Sequence, residues 1–268
     1  MSETELHPTA IVEPGARLGA GVRVGPYCVI GAKVEVGDGC RLQHHVTLEG
    51  PSMIGGENVF YAYASIGQQT QDLKYRGEPT HLRIGDGNTF REFTTVHRGT
   101  AEGSWTRIGN RGNFLAYSHV AHDCVVGDGV IFSNNGTLAG HVVVEDNAII
   151  GGLTAIHQYC RIGRHAFTGG CSKIVQDVPP FMIADGNPAR VRGVNQVGLE
   201  RHGFGEESIR ALREAYRLLY RSKLNVKQAV EEIRKTLWGT PEIGQLVEFI
   251  EASERGIIRR PVRGGSGE

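Results

Sequence analysis

His122, Gly140 and Gln158 stand eighteen residues apart, with His141 beside the glycine and His157 beside the glutamine. Asp123 follows His122 directly, and His119 lies three residues before it. If the chain repeats with the period argued below, these residues line one edge of the fold. The set suits acyl transfer to a hydroxyl. That reaction needs a base for the hydroxyl proton, and imidazole titrates nearest neutrality. It also needs a donor for the developing oxyanion, and a backbone N–H at glycine can be approached closely. Asp123 supplies a carboxylate to orient His122. A lone histidine at a surface corner more often makes a structural hydrogen bond; a stacked set favours chemistry. The rival chemistry is a zinc site, since three histidines can hold that ion.

What would position such a column is a hexapeptide period. Every sixth residue from Val12 to Ile174 is apolar except Asp72, Glu78, Glu102 and Thr168. Two positions before most of these apolar residues sits a small one, among them Cys28, Cys40, Cys124 and Cys160, which therefore read as buried hydrophobes. Glycine often follows the apolar position, as at Gly109 and Gly127, and is expected there to supply unusual φ at sharp corners. A six-residue period with these occupancies is the mark of a parallel β-helix. Six residues make one face of a triangular prism and eighteen a full coil, so residues eighteen apart stack about 4.8 Å from one another.

The phase breaks at 69–80 and at 98–105, which read as loops thrown out from the prism. It stops after Asp177-Val178-Pro179-Pro180. Beyond, Ile209, Leu212, Tyr216 and Leu219 fall at helical spacing, a second helix starts behind an Asn225 cap, and Thr240-Pro241 opens a third. The tail from Gly256 ends in Gly-Gly-Ser-Gly, a composition that frays. The division expected is a β-helical transferase domain over 1–177 and a helical domain over 178–268.

The 268 residues carry no net charge, so no global field recruits nucleic acid or a membrane surface. No apolar run approaches a membrane span, and Met1–Ala10 has neither part of a secretory signal. The 38 glycines belong to the repeat rather than to a linker or collagen. Five cysteines without metal spacing argue against a disulfide framework and for a reducing, cytoplasmic compartment. Neither a metal nor a cofactor is expected.

Several segments together are similar to the UDP-N-acetylglucosamine 3-O-acyltransferase family: His119-Val-Ala-His122-Asp123-Cys124, Leu138-Ala-Gly140-His141-Val142, His157-Gln158, Gly169-Gly170-Cys171-Ser172, Gln176-Asp177-Val-Pro-Pro, Gln71-Asp72-Leu-Lys74-Tyr75 and Gly193-Val-Asn195. The likeness runs over nearly the whole chain. It implies an all-β left-handed parallel β-helix with a C-terminal α-helical domain, and a homotrimer. It implies transfer of a 3-hydroxyacyl chain from acyl carrier protein to the glucosamine 3-hydroxyl, the first step of lipid A assembly. By that resemblance His122 is the general base, Asp123 orients it, and the Gly140 amide binds the oxyanion. His119, His141, His157 and Gln158 contact sugar nucleotide or acyl donor. Gln71, Asp72 and Lys74 reach the sugar from a neighbouring subunit, and Asn195 and Arg201 hold the nucleotide phosphates. Gly170 marks an open end of the acyl groove, which implies a preference for longer donors, and the bulky Phe167 nearby is expected to refill some of it. One position departs: the family often carries a second arginine where this chain has His202.

Other readings remain. Some relatives acylate a 3-amino sugar, giving an amide. The related N-acyltransferase of the same pathway carries a uridine-binding domain before its prism, for which a repeat beginning at Val12 leaves no room. The zinc reading resembles γ-class carbonic anhydrases but gives no purpose to the 69–80 loop. A scaffold without catalysis has no use for the His122 column. Arg210, Arg213, Arg217 and Arg221 form a basic stripe on one helix, suited to an acidic carrier protein.

Overall fold

The computed structural model describes residues 3–259. Short strands, most of two residues, stack into three sheets of eleven, nine and eight strands. All rungs of the prism pair in parallel, and apolar residues of the hexapeptide stack in register: Phe90 on Phe114 on Phe132 on Ile150. The chain is a left-handed parallel β-helix. Inside it the rings of Phe60, Phe90, Phe114 and Phe132 form one column with centroids 4.7–5.1 Å apart. That spacing is the inter-strand distance of a sheet, so side chains of one type repeat and pack face to face. Cys28, Cys40, Cys124 and Cys160 are fully buried in this core, and burial pushes the Cys124 thiol up to about 12 and Cys160 to about 11. They are packing residues.

The glycines require a correction. Gly109 does not lie in the left-handed φ region. A β-carbon there would lie 2.8 Å from the Gly127 carbonyl carbon and closer still to the Asp128 carboxylate. Asp128 caps the coil below, accepting from the Asn110 N–H at 2.8 Å, as Asp146 does from Asp128 at 2.9 Å. These glycines make room for that ladder of caps. The positive φ falls elsewhere, on residues such as Asp123 (58°), His141 (60°) and Tyr159 (63°).

Loops at 69–80 and 98–104 leave the same edge of the prism, between the strands Ser65–Gln68 and His81–Ile84, and between Thr95–His97 and Trp105–Ile108. The prism also gains a rung beyond the end of the period. Strand Met182–Gly186 pairs in parallel with Phe167–Thr168 and then turns back antiparallel onto Ala189–Val194. The helices follow: α1 (Gln196–Arg201), α2 (Glu206–Tyr220), α3 (Val226–Thr236) and α4 (Pro241–Glu251). α3 begins with an Asn225–Gln228 capping box and α4 with Pro241 in its first turn. Ile209, Leu212, Leu219, Val230, Ile233, Leu246 and Val247 make a second, helical core. Past α4 the chain returns to the prism: Ile257 and Ile258 are buried, and the Ile258 N–H donates to Asp177 O at 2.9 Å. The tail is thus tied down from Gly256 to Arg259, and its Gly-Gly-Ser-Gly end lies outside the described residues.

Candidate active site

His122, Gly140 and Gln158 do stack, on the edge between the nine-stranded and eight-stranded sheets. The Tyr159 N–H donates to Gly140 O, and the His141 N–H to His122 O. His122 Nδ1 lies 2.9 Å from Asp123 Oδ2. As the carboxylate can only accept, Nδ1 carries the proton and Nε2 is left with its lone pair. The carboxylate is itself held: it accepts from the Thr100 N–H at 3.1 Å, and the Asp123 N–H donates to Thr106 Oγ1 at 2.8 Å. Its side chain is 9% exposed against 14% for His122. Burial raises the Asp123 carboxyl, but the His122 hydrogen bond and the charge of His141 outweigh it, so it stays below its ordinary range.

Gly140 lies directly against His122. A β-carbon there would be 2.5 Å from His122 Nε2, and its own N–H donates to no acceptor among the described residues. His141 stands edge-on to His122 with centroids 5.2 Å apart, its Nε2 3.7 Å from Asp123 Oδ2, and stacks on Tyr159 at 4.6 Å. His119 bonds Thr95 Oγ1 through Nδ1 at 2.7 Å and meets the buried His97 ring at 4.8 Å. Burial, then the neighbouring His122, lowers His119, and burial pushes His97 down to about 4. His157 and Gln158 are exposed at the upper end of the column.

Sequence reading missed the Asp123 cradle. Thr100 sits in the 98–104 loop and its hydroxyl donates to Thr70 Oγ1 at 2.9 Å, tying both loops to the carboxylate. The signal was available in the two loops leaving one edge, but the threonines have no distinctive spacing.

Not every candidate is at the column. Asp72 Oδ1 accepts from the Lys74 N–H at 2.8 Å, and neither Gln71, Asp72 nor Lys74 hydrogen-bonds to the column among the described residues. Leu73 at the tip of their loop is 91% exposed. Asn195 is buried and both its polar ends are taken: Oδ1 caps α1 at the Gly198 N–H, and Nδ2 donates to His165 O at 2.9 Å. Its local role is therefore that of a cap joining α1 to the prism, which its place in Gly193-Val-Asn195 did not reveal. Arg201 is exposed at the end of α1, where His202 leans on His165 at 4.8 Å. Of the basic stripe, Arg217 is engaged by Glu214 at 2.6 Å and Arg213 by Gln196. Gly170 is open: a β-carbon would meet only Gly152 O, at 3.4 Å, within 4 Å. Phe167 therefore does not fill that space within the chain; it faces outward on the sheet in register with Ile149 and Ile183.

His122, Asp123 and His141 could share one cation, their nearest ligand atoms lying within 4.8 Å. The donor set fits such an ion poorly, because Asp123 already accepts from Thr100 and binding through His122 Nδ1 would displace its proton from the carboxylate.

A His–Asp pair at the edge of a hexapeptide prism, facing a glycine amide, fits acyl transfer, and the matches that follow make the chain an acyltransferase of the hexapeptide-repeat class. Residues 15–50 match the bacterial transferase hexapeptide model, and 177–258 match the model for the second domain of UDP-N-acetylglucosamine O-acyltransferase. The LpxA structure from Acinetobacter baumannii is 44% identical, with a TM-score of 0.92, covering 95% of this chain and 99% of that one. The UDP-N-acetylglucosamine O-acyltransferase of Moraxella catarrhalis RH4 is 43% identical, with a TM-score of 0.91 and coverage of 95% and 99%. That of Bacteroides fragilis 9343 is 38% identical, with a TM-score of 0.92 and coverage of 95% and 100%. The chain belongs to the UDP-N-acetylglucosamine O-acyltransferase family.

Proposed function

We propose that this chain transfers a 3-hydroxyacyl group from acyl carrier protein to the 3-hydroxyl of UDP-N-acetylglucosamine, the first step of lipid A biosynthesis. The observation that carries the reading is the His122–Asp123 pair set against the Gly140 amide. His122 Nε2 takes the proton from the sugar hydroxyl as its oxygen attacks the thioester carbonyl. The Gly140 N–H donates to the oxyanion, and the imidazolium returns the proton to the departing thiolate. Asp123 steadies the imidazolium and holds its tautomer. His119, His141, His157 and Gln158 line the bound substrates.

The remaining parts of the proposal are the homotrimer, with Gln71, Asp72 and Lys74 serving a neighbouring column, and the division at 177 into transferase and helical domains. The phosphates fall to Arg201, with Asn195 fixing the segment that carries it. No helix among the described residues is long and apolar enough to cross a membrane, and the cytoplasm is the proposed compartment. The test is transfer by the purified chain from 3-hydroxyacyl carrier protein to UDP-N-acetylglucosamine and, in parallel, to its 3-amino analogue. Turnover of the first above the second supports the O-acyl reading. Preference for the second reassigns the acceptor, and turnover of neither removes the reading.

A further inference from the structure

Sharing no residue with the His122 column, a cavity of about 640 Å³ lies between strand Ala189–Val194, the end of α2 and the turn into α3. Arg190, Arg192, Arg221, Lys223 and Arg259 all line it, and no acidic residue does. Among these only Arg192 has an acidic neighbour, Asp185 at 3.7 Å, among the described residues. Such a gathering repels itself unless an anion joins it. Four of the five cations are guanidinium groups, whose forks match phosphate oxygens.

The cavity is also built. Tyr220 lines it, while its hydroxyl is buried out of reach of solvent and has no hydrogen-bond partner among the described residues. Burial raises its phenol, so it remains a donor. Tyr216 has its hydroxyl tied to Arg192 O at 2.9 Å and its ring 5.2 Å from that of Tyr220. With Val191 and Leu224 these rings make an apolar wall. The turn itself is held by Ser222, which donates to Leu218 O and accepts from the Leu224 N–H.

We infer that this cavity binds a phosphomonoester with an apolar or aromatic body, at a site separate from the acyl-transfer centre. The volume falls within the range of small-molecule sites and greatly exceeds a bare phosphate. An apolar wall inside a concavity suits a small ligand better than the acidic surface of a protein, whose carboxylates would meet only the exposed arginines.

The test is calorimetric titration of the full chain with butyl phosphate and with inorganic phosphate. Saturating UDP-N-acetylglucosamine is present throughout, to occupy phosphate contacts elsewhere. Butyl phosphate should bind saturably, with Kd ~1 mM or tighter, and at least about threefold tighter than inorganic phosphate. Arg190→Gln combined with Lys223→Gln should weaken it about tenfold; neither side chain has a hydrogen-bond or ion-pair partner among the described residues, and unchanged circular dichroism confirms the fold. Equal affinity for the two probes would overturn the ester assignment. Absence of saturable binding, or binding unmoved by these variants, would overturn the site. So would variants that raise only the KM for a carrier-bound donor, which would make the cavity part of a protein-docking face.

Discussion

The His122 imidazole and the Gly140 backbone touch across successive coils: a β-carbon on residue 140 would lie 2.5 Å from Nε2 and 3.0 Å from Nδ1. Any side chain there must push the ring off the Asp123 carboxylate it now meets at 2.9 Å. Gly140→Ala should therefore lower kcat by about 10²-fold, through base and oxyanion donor together, while the melting temperature changes little. The check is steady-state kinetics beside a thermal melt. A fully active alanine variant would mean that the ring is free to move and that its position is not what the chemistry depends on.

Replacing the proposed base separates roles. His122→Ala should reduce kcat by at least ~10²-fold with the fold intact. Asp123→Asn keeps the shape but offers an amide that can donate, so the tautomer is no longer enforced and a loss of ~10²-fold or more is expected. Thr100→Ala should cost less, because it retains the N–H that donates to Asp123. His141→Ala and His157→Ala should act in part through KM. Near-normal turnover of His122→Ala would remove it from the base position.

How much of this was legible in the sequence follows from which contacts are periodic. The prism, its loops and the His122–Gly140–Gln158 stack all follow from a period of six, because each coil repeats the same packing problem. Even so, the role of Gly109 was misassigned: occupancy reveals that a glycine is required, while the reason, the Asp128 cap of the next coil, lies in three dimensions. The Thr70–Thr100–Asp123 link joins two loops of unrelated length, so no spacing encodes it. Met182–Gly186 was missed since its rung is closed by an antiparallel partner rather than another hexapeptide. Asn195 was assigned by motif alone, and its capping role needed the position of His165.

The 69–80 loop bears on assembly. Among the described residues its Asp72 carboxylate is occupied only by its own turn, and Leu73 projects into solvent. If the loop serves a neighbouring column, mixing His122→Ala with Asp72→Ala chains should restore activity, because some interfaces regain both residues. The measurement is turnover of mixed trimers isolated by two tags. No recovery would place each site within one chain.

Acid should loosen the fold through two histidines. His97 and His165 are both pushed down to about 4, chiefly by burial. An unfolded histidine titrates near 6.5, so between those values the unfolded chain binds more protons and stability rises with pH. The melting temperature should therefore fall by several degrees from pH 6.5 to pH 4 and be nearly level between pH 7 and 8, as far as these two groups decide it. His97→Gln should flatten the acid side. An equally steep fall in that variant would assign the acid sensitivity to other groups.

Donor length turns on Gly170. Its surface is open, with nothing but Gly152 O within 4 Å of where a β-carbon would sit, and Phe167 is turned onto the sheet with Ile149 and Ile183. An acyl chain that reaches residue 170 meets no side chain there, so longer 3-hydroxyacyl donors should be preferred. Each buried methylene adds about 0.8 kcal/mol, near fourfold in affinity, so the preferred length should stand out in a turnover series. Gly170→Met places a thioether in the path and should shift the optimum shorter by several carbons, with kcat for the new optimum largely kept. Phe167→Ala should leave the optimum where it is, since its ring does not reach the Gly170 space. The outcome that sinks this is the reverse pair: an optimum unmoved by Gly170→Met and lengthened by Phe167→Ala, which would make the phenylalanine of a packed trimer the stop.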